Sequence, residues 1–156
     1  MRAILCSDFN GADALTLGDA PDPIPAPDEL LIDVRAAAVS FMDKLMAEGG
    51  YQMRPDLPYV PGTDAAGIVA AVGNDVTAFK PGDRVVGQMW HGAYAAQAVT
   101  KHWKCEKILD GVDFVTASNR KSVRSWIPAT PYDYCVKTCF ISGKIDTSQE
   151  PPCVDL

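Results

Sequence analysis

The sequence predicts a mainly β protein, a small barrel or sandwich with short helices, and three observations carry that prediction. Turn residues punctuate the chain at short intervals: Gly49-Gly50, Gly73-Asn74-Asp75, Lys80-Pro81-Gly82-Asp83 and His91-Gly92 each interrupt an apolar segment. The segments between them are short and alternate or run continuously apolar, as strands do. Helical period shows clearly in one place, Ser40 to Gly49. Many short strands, Gly/Pro turns and one short helix make a compact β architecture.

Taken in order, residues 1–8 read as a first strand and Leu15-Thr16-Leu17 as a second. Pro21, Pro23, Pro25 and Pro27 alternate with other residues, which forbids helix and ladder pairing and leaves an extended connection. In Leu30–Arg35, Leu30, Ile32 and Val34 point one way and Leu31, Asp33 and Arg35 the other, a half-buried strand that Ala36–Val39 extends. Ser40 followed by Asp43 fits a capping box, S-x-x-D, opening a helix with apolar pairs Phe41/Leu45 and Met42/Met46 and a stop at Gly49-Gly50. Pro55 and Pro58 hold an irregular loop. Ala65–Val72 is an apolar strand, and Arg84-Val85-Val86 restarts another after a tight turn, with Pro81 at its first corner and Gly82 at its second as a type II turn wants. Ala93–Val99 forms the next strand.

Composition narrows the function classes. The chain has 156 residues, 47 % of them hydrophobic, enough for one globular domain. No apolar run approaches the ~18 residues of a membrane helix, and the apolar start M-R-A-I-L-C is too short for a signal peptide, so a cytoplasmic protein away from the membrane is expected. The formal charge is −6, and residues 1–100 carry 13 Asp/Glu against 6 Lys/Arg. That balance argues against a nucleic acid partner, which needs clustered cations. Five cysteines without a leader do not suggest a disulfide framework. Cys135 and Cys139 have a loose zinc-pair spacing with no second pair after them, so they read as incidental thiols.

Five motifs then carry a family likeness: V-S-F-M-D-K-L-M-A-E-G-G-Y (39–51), L-P-Y-V-P-G-T-D-A-A-G-I-V (57–69), V-G-N-D-V-T-A-F-K-P-G-D-R-V (72–85), G-A-Y-A (92–95) and L-D-G-V-D-F-V-T-A-S (109–118). In this order and spacing, residues 1–118 resemble the N-terminal, GroES-like domain of the medium-chain dehydrogenase/reductases, in the zinc-independent quinone oxidoreductase branch related to zeta-crystallin. The resemblance implies a partly open β-barrel with short helices, normally joined to a Rossmann domain that holds NADPH. It implies hydride transfer to a quinone or an α,β-unsaturated carbonyl in the cleft between the two domains. With no metal, such catalysis rests on positioning and on hydrogen bonds to developing charge.

The zinc branch of this family has a Cys shortly before the Asp of the first motif and His-Glu where this chain has Thr63-Asp64. Zinc needs thiolate, imidazole or carboxylate donors, usually three or more, so no catalytic metal is expected. By resemblance the pocket residues are Ser40, where many relatives have an Asn near the nicotinamide, with Phe41, Tyr51 and Thr63. Each also has a structural reading: Ser40 as helix cap, Phe41 as core, Tyr51 as a loop-packing aromatic and Thr63 as a turn residue. No catalytic residue is assigned. Gly62, Gly67, Gly73 and Gly82 read as turns and close contacts rather than phosphate cradles.

No G-x-G-x-x-G follows a strand anywhere, and 37 residues remain after Asn119. The family pattern stops after Ser118, so residues 119–156 read as a divergent, irregular and poorly ordered tail, as in a truncated, frame-shifted or alternatively spliced product. Two functions follow as expectations. The chain is the catalytic-domain part of an NADPH-dependent quinone or enone reductase, inactive alone and without tight cofactor binding. Alternatively it is a stand-alone β-barrel module that pairs with a full-length relative.

Overall fold

Seven strands and two α-helices make up the described part of the protein. The structure is a computed structural model that describes residues 1–124, with side chains through residue 119. The strands are β1 (Arg2–Cys6), β2 (Leu15–Asp19), β3 (Glu29–Ala38), β4 (Asp64–Val72), β5 (Arg84–Gln88), β6 (Gln97–Lys101) and β7 (Cys105–Lys107). The helices are α1 (Phe41–Ala47) and α2 (Phe114–Arg124). β1 and β2 pair alone, and the other five form an antiparallel sheet in the order β6-β3-β4-β5-β7.

The alternation read in β3 holds at its start, where Leu30 and Ile32 are fully buried. Between Val34 and Ala36 the register against β4 slips, leaving Arg35 unpaired, so β3 bends and Ala36, Ala37 and Ala38 are all buried. Ala65 and Ala66, successive in β4, point to opposite faces and join different cores. Inside, Leu30, Ile32, Val69, Val76, Val85 and Cys105 form one cluster, and Ile4, Ala37, Ala65, Met89, Ala93, Tyr94 and Ala98 another. Gly67 is forced at the β3–β4 crossing, because a Cβ there would stand 2.1 Å from the Asp33 carbonyl oxygen.

Three differences from the sequence-based expectation matter. The strand expected over Ala93–Val99 begins regular pairing with β3 only at Gln97. Its first half pairs instead with β1, where Ile4 N donates to Tyr94 O at 2.8 Å and Ala96 N to Arg2 O at 3.0 Å. This segment therefore ties the two sheets together without closing them, which makes the barrel partly open. Phe41, expected in the core by one reading, is 72 % exposed, and it is the buried Met46 of α1 that turns inward.

β7 and α2 have no regular period in the sequence and come from tertiary contacts. Ala117 of α2 packs on Ala66 and Val86, flanked by Ile108, Val112 and Phe114. Asp113 caps the helix by accepting from Thr116 N at 2.9 Å and Thr116 Oγ1 at 2.7 Å. α2 runs through residue 118, and the tail expected from 119 onward lies, beyond residue 124, outside the described residues.

Candidate functional site

The site is built where β3 hands over to α1. Ser40 leaves the strand extended (φ −113°, ψ 164°) and caps α1. Its backbone N–H and its hydroxyl both donate to Asp43 Oδ2 at 2.7 Å, and Asp43 N donates back to Ser40 Oγ at 3.3 Å. This reciprocal box satisfies two helix-terminal groups and fixes the Ser40 side chain. Asp43 is more than a cap, however: it is only 5 % exposed, with the hydroxyls of Tyr94 and Thr63 close enough to act on its ionisation.

Thr63 and Asp64 come from the start of β4, with the Thr63 hydroxyl near enough to act weakly on Asp43. Thr63 Oγ1 donates to Asp64 Oδ2 at 3.1 Å, and both residues are closed from solvent. Tyr94 reaches in from the segment before β6 and donates to Ala38 O at 3.1 Å. Its ring is seated by Gly62, whose φ of +97° excludes most side chains and where a Cβ would lie 2.4 Å from Tyr94 Cδ1. Tyr59, also buried, packs edge-on against His91 at 5.9 Å between centroids.

Burial governs the electrostatics. It pushes the Asp43 carboxyl above the usual carboxylate range, opposed by hydrogen bonds from Ser40 and, more weakly, from Tyr94 and Thr63. The Tyr94 phenol is pushed up by burial first and by the Asp43 charge second. Tyr59 is pushed up by burial, then by Cys6 and Asp43. The cluster is thus a set of hydroxyls arranged around buried carboxyls, suited to orienting groups at its edge. Among the described residues no three His, Cys, Asp or Glu side chains converge in a way that would hold a metal ion.

Of the residues predicted from sequence, Ser40 is hydrogen-bonded to Asp43 and Thr63 to Asp64, with the Thr63 hydroxyl near enough to Asp43 to act weakly on its ionisation. Phe41 follows Ser40 directly and presents its ring to solvent. Tyr51 stands half-buried on the loop after α1 and takes no part in the network's hydrogen bonds. Sequence reasoning missed Asp43 as the hub and Tyr94 as its neighbour. Tyr94 lay within the G-A-Y-A motif, but nothing in a tyrosine's sequence context says where its hydroxyl goes.

Residues 26–122 match the family of alcohol dehydrogenase GroES-like domains. The chain is 41 % identical over 116 residues to a quinone oxidoreductase of Lama guanicoe, a match that covers 73 % of this chain and 35 % of the relative. It is 38 % identical over 116 residues to a human quinone oxidoreductase, with the same coverage. Among solved structures, the Escherichia coli quinone oxidoreductase complexed with NADPH is similar with a TM-score of 0.72 and 31 % identity, over 76 % of this chain and 36 % of that one. The chain therefore spans about a third of the length of the relatives it matches. Five motifs, an unclosed antiparallel barrel and a match over residues 26–122 agree, and the chain belongs to the family of alcohol dehydrogenase GroES-like domains, with quinone oxidoreductases among its relatives.

Proposed function

We propose that this domain forms the acceptor-side wall of an NADPH-dependent reductase site for quinones or α,β-unsaturated carbonyls. Ser40, Phe41 and Tyr51 face the pocket in this reading, and Thr63 supports them from behind. The observation that carries it is the pairing of an exposed aromatic ring, Phe41, with an immobilised neighbour, Ser40, on a helix anchored by the buried cluster. A flat, conjugated acceptor needs such a ring to lie against and a fixed polar group beside it. The similarity to quinone oxidoreductases, one of them complexed with NADPH, supports the same chemistry.

The described residues do not fit the dinucleotide itself. α1 starts at Ser40 and α2 behind Asp113, neither after the G-x-G-x-x-G turn whose backbone N–H groups would take a pyrophosphate. The positive-φ glycines serve turns and close packing instead, as Gly62 does against Tyr94. No hydride step is therefore built on these residues. The chemistry proposed is metal-free, because Ser40-Phe41-Met42 offers no thiolate and Thr63-Asp64 offers only one carboxylate where the zinc branch has His-Glu.

These 156 residues by themselves are then expected to bind NADPH weakly and to show no quinone turnover. Titration of NADPH fluorescence with the purified chain, followed by NADPH oxidation with a quinone, measures both. Saturable NADPH binding in the micromolar range with turnover would overturn the claim that the nucleotide is held elsewhere.

A further inference from the structure

The geometry points to Asp43 as a positioning residue that sets the hydrogen-bond polarity of Ser40, so that Ser40 serves ligand groups bearing an O–H or N–H and not a carbonyl oxygen. This rests on the reading of Ser40 as a pocket residue and deepens it. A serine hydroxyl has one proton and two lone pairs to offer. In this structure the proton is given to Asp43 Oδ2 at 2.7 Å, and one lone pair takes the Asp43 N–H at 3.3 Å. One lone pair is left, and only a donor can use it.

The arrangement is held at Asp43 Oδ2, while Oδ1 is buried without a hydrogen-bond partner. Asp43 Oδ2 also accepts Ser40 N–H at 2.7 Å, so the carboxyl cannot swing away without losing the start of α1. Among the described residues, the groups that act on Asp43 or feel its charge are Ser40 in its own turn, Thr63 beside the start of β4, Tyr94 before β6 and Tyr59 from the loop before β4, none of them a cation. A quinone or enone oxygen, which only accepts, would find no proton at Ser40. A hydroxyl of the reduced product, or a hydroxyl or amide of the hydride donor, would be received. Ser40 on this account discriminates between ligand states and does not stabilise an oxyanion.

The substitution Asp43→Ala tests this, because it removes Oδ2, the one oxygen that accepts both the Ser40 N–H and the Ser40 hydroxyl proton. The Ser40 proton is thereby freed for a ligand oxygen. Cyclohexanol and cyclohexanone, rings that differ in carrying a donor or only an acceptor, are titrated into the ¹⁵N-labelled chain, and shifts of the Ser40 and Phe41 amides are followed. The expected result is a preference of about three- to ten-fold for the alcohol in the native chain, lost or reversed toward the ketone in Asp43→Ala. Ser40→Ala, which removes the lone pair, abolishes the preference and keeps the test decisive if Asp43→Ala folds poorly. An unchanged preference in both variants overturns the role of Asp43 and leaves the pocket reading intact. No shift at Ser40 or Phe41 with either ring overturns the pocket reading itself, and the inference with it.

Discussion

Replacing Tyr94 by Phe removes one oxygen from the site and should show how tightly the cluster is coupled. The ring would stay, since Gly62 and the core around Ala65 and Met89 seat it. Two things are lost. The first is the hydrogen bond to the Ala38 carbonyl at 3.1 Å. Leaving that buried acceptor short of a donor costs about 1–3 kcal/mol, which at roughly 2–4 °C per kcal/mol is a clear fall in melting temperature for a chain of this size. The second is the hydroxyl's effect on the Asp43 carboxylate: its one proton is shared between Ala38 O and Asp43, and the share that turns to the carboxylate counteracts burial. Without it the folded-state pKa of Asp43 moves further above its ordinary 3.8. A carboxyl with a raised folded pKa contributes its stability below the unfolded value and loses it as pH rises through the folded value. The penalty of Tyr94→Phe should therefore be smallest in acid, grow as pH rises through the Asp43 titration, and level off above it. Urea unfolding followed by circular dichroism between pH 3.5 and 7.5 measures this. The Tyr94→Phe/Asp43→Asn double variant should retain the constant part and lose the pH-dependent part. A penalty that does not vary with pH would refute the coupling, and one below about 0.5 kcal/mol at every pH would refute the hydrogen bond as well.

Two further outcomes test the scaffold and the surface. Gly67→Ala places a Cβ 2.1 Å from the Asp33 carbonyl oxygen, a backbone atom in the middle of the β3–β4 pairing that cannot move aside; the cost should exceed about 3 kcal/mol, and a soluble variant melting near the native temperature would show that the two strands are less closely paired. Phe41→Ala removes a ring that is 72 % exposed, so stability should stay within about 0.5 kcal/mol of native while binding of ring ligands at Ser40 weakens; a large loss of stability would return Phe41 to the core.

The local chemistry of the fold was readable where a residue type has a single use. Ser40 and Asp43 at S-x-x-D spacing formed the reciprocal cap, and Lys80-Pro81-Gly82-Asp83 closed as the turn expected, with Asp83 N donating to Lys80 O at 3.1 Å and Gly82 at φ +92°. The alternation of Leu30 and Ile32 marked the buried face of β3. What could not be read was whatever depends on a distant partner. Nothing local distinguishes Cys105–Lys107 as a strand until β5 lies beside it, and α2 acquires its inner face from Ala66 and Val86, residues more than 25 positions earlier. The strand over Ala93–Val99 was visible as apolar chain, but its division between β1 and β3 is a property of two sheets meeting.

The same division runs through the site. Ser40 stands out in the sequence because motif and cap coincide on it; Phe41 follows it, and the exposure of its ring contradicts the ordinary rule that a Phe on a short amphipathic helix turns inward. A rule broken by one large ring while Met46 obeys it on the same helix locates the outward face of α1. Asp43 shows the converse. Its spacing gave its first partner, Ser40, but its burial, its raised pKa and its nearness to Thr63 and Tyr94 follow from β4 and the segment before β6 closing over it. A capping carboxylate is ordinarily solvated and stabilises only its helix; enclosed among hydroxyls, the same group also fixes which way the Ser40 proton points. The physical consequence is that α1 and the β4 start cannot vary independently: a change at Thr63 or Tyr94 alters the charge on Asp43, and through it the polarity that Ser40 shows at the edge of the site.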